Sequence, residues 1–216
     1  MMEESKDKMN EQKDLQPNEN AGVHMNGHIL IRDKETGEEL VNKRNAIHYG
    51  NMAYIVANAL NGTDNARIYY MGFGNGGTGV DTTGKIIYKS PRVSEAFQSS
   101  ASLYNRSYKK IIGASGDATN QIEVITGTAY SDIKVTATLS YSEPSDQDLF
   151  DSSTDNDGSY VFDELGLFSY PTDPSPSDGS DPIDTSRMLT HVVFHPVQKA
   201  QNRVIEVIYT VRIQLS

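Results

Sequence analysis

Residues 1 to 22 hold only Met1, Met2, Met9, Leu15 and Ala21 as apolar members among Glu, Lys, Asp, Asn and Gln. That is too little apolar surface to offset the entropy of ordering, so 1–24 reads as an extended arm that has no fold of its own. From Gly27 the pattern changes. Ile29 and Ile31 alternate with polar neighbours, Glu35-Thr36-Gly37 offers a turn, and Leu40 and Val41 resume, which predicts a hairpin. Asn45 then offers an N-cap, and Met52, Ile55, Val56, Ala59 and Leu60 recur at helical spacing until Asn61-Gly62. One helix over about 45–60 follows, with Ala53, Ala57 and Ala59 small enough to pack closely on a sheet.

Beyond Gly62 the signal is β. Ile68 to Phe73, Lys85 to Tyr88, Leu103 to Ile112, Gln121 to Thr126, Asp132 to Tyr141, Tyr160 to Ser169, Met188 to Phe194 and Arg203 to Gln214 are short and rich in Tyr, Val, Ile and Thr. Gly, Asn, Asp, Ser or Pro clusters separate them. Alternation is cleanest in Ile133 to Leu139 and Val204 to Ile213, where one face is apolar and the other polar. The expected fold is therefore mainly β: a jelly-roll-like antiparallel β-sandwich over 25–216 with one helix, and a Pro- and Ser-rich loop at 170–184.

Composition narrows the function. The 216 residues include no cysteine, which excludes disulfides, thiolate metal sites and cysteine nucleophiles. The longest apolar runs fall far short of the roughly 20 residues of a membrane span, and the first fifteen residues lack the apolar core of a signal peptide. A formal charge of −10 argues against binding a nucleic-acid backbone, which needs clustered Lys and Arg. Between Tyr141 and Asp184 there are twelve acidic residues and no Lys or Arg, which reads as solvated loops or, more sharply, as a cation site or a surface for a basic partner.

Several stretches invite a chemical reading. Gly72-Phe73-Gly74-Asn75-Gly76-Gly77 fits the G-x-G-x-x-G pattern after a strand, but no helix pattern follows to present amides to a pyrophosphate. Its glycines read instead as a loop that needs positive φ and close backbone approach, and no cofactor is expected. Ser153 to Gly158 with Glu164 approaches the spacing of a calcium loop, making Asp155, Asp157 and Glu164 weak metal candidates, although position one is Ser and no helices flank it. His24 with His28, and His191 with His195, are four apart. On a strand ended by Pro196, the second pair would stand about 13 Å apart, too far to share one metal. No nucleophile elbow, H-E-x-x-H or P-loop is present.

Three segments together carry a resemblance: Ile68 to Thr78, with its strand running into a glycine-rich loop; Phe162-Asp163-Glu164-Leu165-Gly166-Leu167-Phe168; and Met188 to Lys199, closed by the strand Val204 to Leu215. Their order resembles that of structural proteins of tailed bacteriophages, in which an "fGtGtT" loop, an "f-E-iGLf" strand and an "LL-h-v-F-p-i-K" strand build a sandwich. Asn42 to Tyr49 has counterparts in virion proteins of contractile-tailed marine phages. The resemblance spans about residues 28 to 215, and the insertion at 171–182 departs from it.

The resemblance implies a non-enzymatic virion component at the neck, tail or baseplate, assembled in the host cytoplasm. It would be homo-oligomeric in the particle and contact portal, tail, baseplate or major capsid proteins. The alternatives are a capsid decoration protein and, in a different class, a calcium-dependent adhesion or carbohydrate-binding module. Contact residues expected on this reading are Met9, Leu15, Met25, Phe73, Asn75, Phe162, Leu165 and Phe168. Asp163 or Glu164 could pair with Lys199 or Arg203, or lie at a solvated strand end. The polar arm is expected to engage a neighbouring chain in the assembly.

Overall fold

A computed structural model describes residues 22–93, 101–114, 116–144, 159–177 and 179–215. Its elements are β1 (Val23–Asp33), β2 (Glu39–Ile47), α1 (Tyr49–Leu60), β3 (Ile68–Gly74), β4 (Thr78–Val80), β5 (Ile86–Tyr88), β6 (Arg106–Ile111), β7 (Gln121–Thr126), β8 (Tyr130–Leu139), β9 (Ser159–Ser169), β10 (Thr190–Ala200) and β11 (Ile205–Leu215). Nine strands form one antiparallel sheet in the order β6-β3-β9-β10-β2-β1-β11-β8-β7, and β4 with β5 makes a separate two-stranded ribbon.

The long sheet curls so that its two wings face each other as a sandwich. Ile29, Ile31, Val135, Val207 and Tyr209 come from one wing, and Phe73, Phe162, Leu165 and Phe194 from the other; all are buried in one apolar cluster. The wings are joined along the sheet where Thr190 and His191 of β10 pair with Ile47 and Ala46 of β2. Alternation supplies the inward face. In β8, Val135, Ala137 and Leu139 point into the core, opposite Tyr209, Val207 and Ile205 of β11.

The hairpin forms as its pattern requires. Asp33 Oδ1 accepts from the Glu35 and Thr36 amides, and Gly37 takes φ +76°, so β2 returns alongside β1. The helix starts later than expected. Asn45 pairs with Gly27 inside the sheet, and His48 is the N-cap, its ring Nδ1 accepting from the Asn51 amide at 3.2 Å. The helix buries only Asn51 and Met52; the three alanines are exposed, so close packing through them does not occur. Strand β10 does not end at Pro196. It continues to Ala200 through a register break between Val193 and Val197, where the missing proline N–H is tolerated.

A second, smaller cluster of Tyr70, Ala101, Leu103, Phe168, Ile183 and Met188 covers the outside of β3 and β9. Ile183 belongs to a short 3-10 turn, Pro182–Thr185, capped by the Asp181 side chain, so this part of the Pro- and Ser-rich loop lies against its own sheet. The acidic run is also partly neutralised within the chain. Lys110 pairs with Glu143, Lys109 with Asp181, and Arg106 with Asp184, so every cation of β6 meets one of its carboxylates. Asp181 and Asp184 stay half-exposed in these pairs, as solvated loops would have them, whereas Glu143 is largely covered. The expected arm ends short of residue 24, because Val23 and His24 already pair with Leu215 and Gln214 in β1; its residues up to Ala21, with Met9 and Leu15, and the loop carrying Asp155 and Asp157 lie outside the described residues.

Candidate functional site

The three segments singled out in the sequence meet in one place. β3 pairs with β9 up to Gly74 opposite Glu164, and β10 flanks β9 on its other side. The turn after Gly74 therefore passes the end of β3 within reach of side chains on both faces of β9.

Glycine is needed there for room. A Cβ on Gly74 would lie 2.5 Å from the Asn105 carbonyl oxygen, one on Gly76 2.8 Å from the Asn105 amide, and one on Gly77 2.9 Å from Val193. Close approach is thus the reason for these glycines. Positive φ is not, since within 72–84 only Gly84 adopts it.

Two adjacent carboxylates fill the space so made. Asp163 accepts from the Gly77 and Thr78 amides, each at 2.8 Å, and from the Thr78 hydroxyl. Glu164 Oε1 accepts from the amides of Gly76 at 3.1 Å and Asn105 at 2.8 Å. Its Oε2 accepts from the Tyr104 amide at 2.9 Å and from His191 Nε2 at 3.0 Å. Neither acid pairs with Lys199 or Arg203, and neither is solvated: Asp163 is buried and Glu164 has no exposed surface.

His191 is equally buried, and its Nδ1 accepts from the Arg92 amide at 2.8 Å. That bond requires Nδ1 to be unprotonated, so the imidazole is neutral and its single N–H points at Glu164. Burial pushes the Glu164 carboxyl up, but the hydrogen bonds from His191 and from the Asn105 and Tyr104 amides outweigh it and hold the group below the ordinary carboxylate range. An ionised carboxylate with two donors on each oxygen is built to hold backbone in position. Glu164 is thus a ligand of its own chain's amides, and among the described residues no group of three or more His, Asp or Glu could hold a metal ion.

The clamp holds the root of the β4–β5 ribbon. Thr78 pairs with Tyr88 and Val80 with Ile86, and the tip is closed by Asp81, whose Oδ1 accepts from the Thr83 and Lys85 amides. At the root, the Lys89 amide and ammonium donate to the carbonyls of Gly77 and Gly76, and that ammonium lies 4.5 Å from the centre of the Tyr104 ring. The Tyr88 hydroxyl meets His195 Nδ1 at 3.2 Å. Along its length the ribbon bares apolar side chains: Val80 is 68% exposed, Ile87 52% and Tyr88 54%.

No protein-family model, curated protein or solved structure matches the chain. No helix among the described residues is long and apolar enough to cross a membrane.

The expected contact residues fall differently. Phe73, Phe162, Leu165 and Phe168 are core residues with no more than 2% exposure, so they shape the sandwich from within and present nothing to a partner. Asn75 is exposed at the clamped turn, its Oδ1 accepting from Asn105 Nδ2 at 2.6 Å. Met25 is half-buried at the far end of β1. The residues that sequence reasoning missed are Val80, Ile87 and Tyr88. Ile86-Ile87-Tyr88 reads as one more strand, and only the isolation of the ribbon from the main sheet leaves it exposed.

Proposed function

We propose that this chain is a non-enzymatic structural component of a tailed-bacteriophage virion, at the neck, tail or baseplate, and that it docks a neighbouring virion protein through the β4–β5 ribbon. The observation that carries the docking role is the contrast between the ribbon's buried anchor and its exposed apolar side chains. Its root is fixed by two buried carboxylates, and from that root outward Tyr88, Ile87 and Val80 are exposed in turn. Exposed apolar side chains on a rigidly held element mark contact sites, because ordering them on binding costs little further entropy. Placement in a virion rests on the resemblance of the three segments, and their convergence on one clamp gives their order a physical reason. The test is to introduce Ile87→Asp with Tyr88→Asp and follow incorporation into purified particles. The variant should keep the parent's melting temperature yet be lost from particles. Normal incorporation rules out the ribbon as the docking element, and absence of the unaltered chain from particles rules out the virion role.

A further inference from the structure

The inner face of the β1, β11 and β8 wing stays apolar past the point where the opposite layer covers it. Val23 and Met25 of β1 pair with Leu215 and Ile213 of β11 at one end of the sheet. Val56 and Leu60, on the last turns of α1, complete the wall of an open groove of about 710 Å3. Its rim is bare: Leu60 is 85% exposed, Leu215 65% and Val23 57%. The apolar stripe of α1 thus ends over a space that the described residues leave empty. Contiguous bare apolar walls of this kind are normally covered.

The chain enters the fold at this groove, because the arm joins β1 at Val23. The first large apolar residue upstream is Leu15, and the next is Met9. Between Leu15 and Val23 lie the seven residues Gln16 to Gly22, enough to span about 25 Å when extended. Pro17, Asn18, Asn20 and Gly22 among them favour a reversal of direction.

We infer that in the free protein Leu15, with Met9 behind it, seats in this groove of its own chain. So short a tether sets an effective concentration in the millimolar range, so at micromolar protein the chain's own arm outcompetes that of a second copy. The inference does not depend on the ribbon's role, and the same residues remain free to pass to a neighbour during assembly.

The absence of cysteine makes the test direct. Leu15→Cys with Leu60→Cys in the full chain, oxidised mildly at low micromolar concentration, should give a disulfide at monomer mass. Leu15→Cys with Tyr141→Cys should give none, since Tyr141 is exposed beyond the opposite end of β8. Absence of the first bond, its formation only between two copies, or equal bonding in the control overturns the inference. Independently, Leu15→Asp with Met9→Asp in the full chain should raise the fluorescence of an apolar-surface dye several-fold, and adding Leu60→Asp should remove that gain. Dye binding unchanged by the arm substitutions also overturns it.

Discussion

Glu164 and His191 stand 3.0 Å apart with no exposed side-chain surface on either partner, and the bond between them runs in one direction only, from Nε2 to the carboxylate. The Arg92 amide, which occupies Nδ1, fixes that direction. Glu164→Gln keeps the shape but supplies one acceptor oxygen where two are used. Whichever way the amide turns, its NH2 faces two donors: either Tyr104 N–H with His191 Nε2–H, or Gly76 N–H with Asn105 N–H. We expect a loss of about 2–5 kcal/mol in unfolding free energy, read by urea titration, as for other buried charge networks broken on one side. A loss below about 1 kcal/mol would falsify the clamp as a stabilising element.

The same group sets a pH dependence. Glu164 is held below the ordinary value of 4.5 despite its burial, and so is Glu143, where hydrogen bonds from Lys110 and Tyr108 outweigh burial. As pH falls through that value, the unfolded chain takes up protons that the folded chain still refuses, so the stabilisation is complete above it and lost below. Unfolding free energy should therefore stay level down to about pH 5 and fall beneath it. The fall should be shallower in Glu164→Gln, and equal slopes in the two proteins would count against this assignment.

Room, rather than backbone freedom, governs the glycines of the clamp, and neighbouring positions separate the two ideas. At Gly76 a methyl group would press on the Asn105 amide and the Tyr104 Cβ at 2.8 Å, whereas at Gly79 the nearest atom is the Ile87 side chain at 3.7 Å. Gly76→Ala should cost about 1–3 kcal/mol, as overpacking does. Gly79→Ala should stay within about 1 kcal/mol. Chemical denaturation of the two variants decides it, and equal costs would remove the packing argument.

Much of this is legible in the sequence because it is local. Alternation places Val135, Ala137 and Leu139 on the core face of β8, and Asp33 with Gly37 announces the first hairpin, whereas in β9 the alternation breaks between Phe162 and Leu165, which both enter the main core. What is not legible depends on distant segments. Glu164 takes its donors from residues 27 to 88 positions away, and nothing near it in the chain names them. The acidic run looks unpaired because its cations, Arg106, Lys109 and Lys110, are on β6. Asn45 has the right chemistry for an N-cap, but its pairing with Gly27 keeps it in β2, and the cap falls to His48. Tertiary pairing overrides local preference in each case.

Lys199 offers a test at alkaline pH. It lies in β10 with no exposed surface, and its ammonium donates to the Ala200 carbonyl at 2.9 Å. Burial pushes its pKa down to about 8, against the opposing field of Glu143 and aided by the positive charge of Arg203. Below pH 8 both folded and unfolded chains carry the proton, and the folded state bears the whole cost of the buried charge. Between about 8 and the ordinary 10.5, the folded chain has released the proton while the unfolded chain keeps it, so stability rises with pH across that window. Tyr70, Tyr108, Tyr160 and Tyr209, all raised by burial, act in the opposite sense above pH 10, but they are common to wild type and variant and cancel in the difference. From pH 8 to pH 10, wild type should therefore gain on Lys199→Met by about 1–2 kcal/mol, less than the full linkage limit because some water reaches any buried ammonium. The measurement is urea unfolding of both proteins at several pH values, and a difference that stays constant across the window would show that Lys199 does not release its proton on folding.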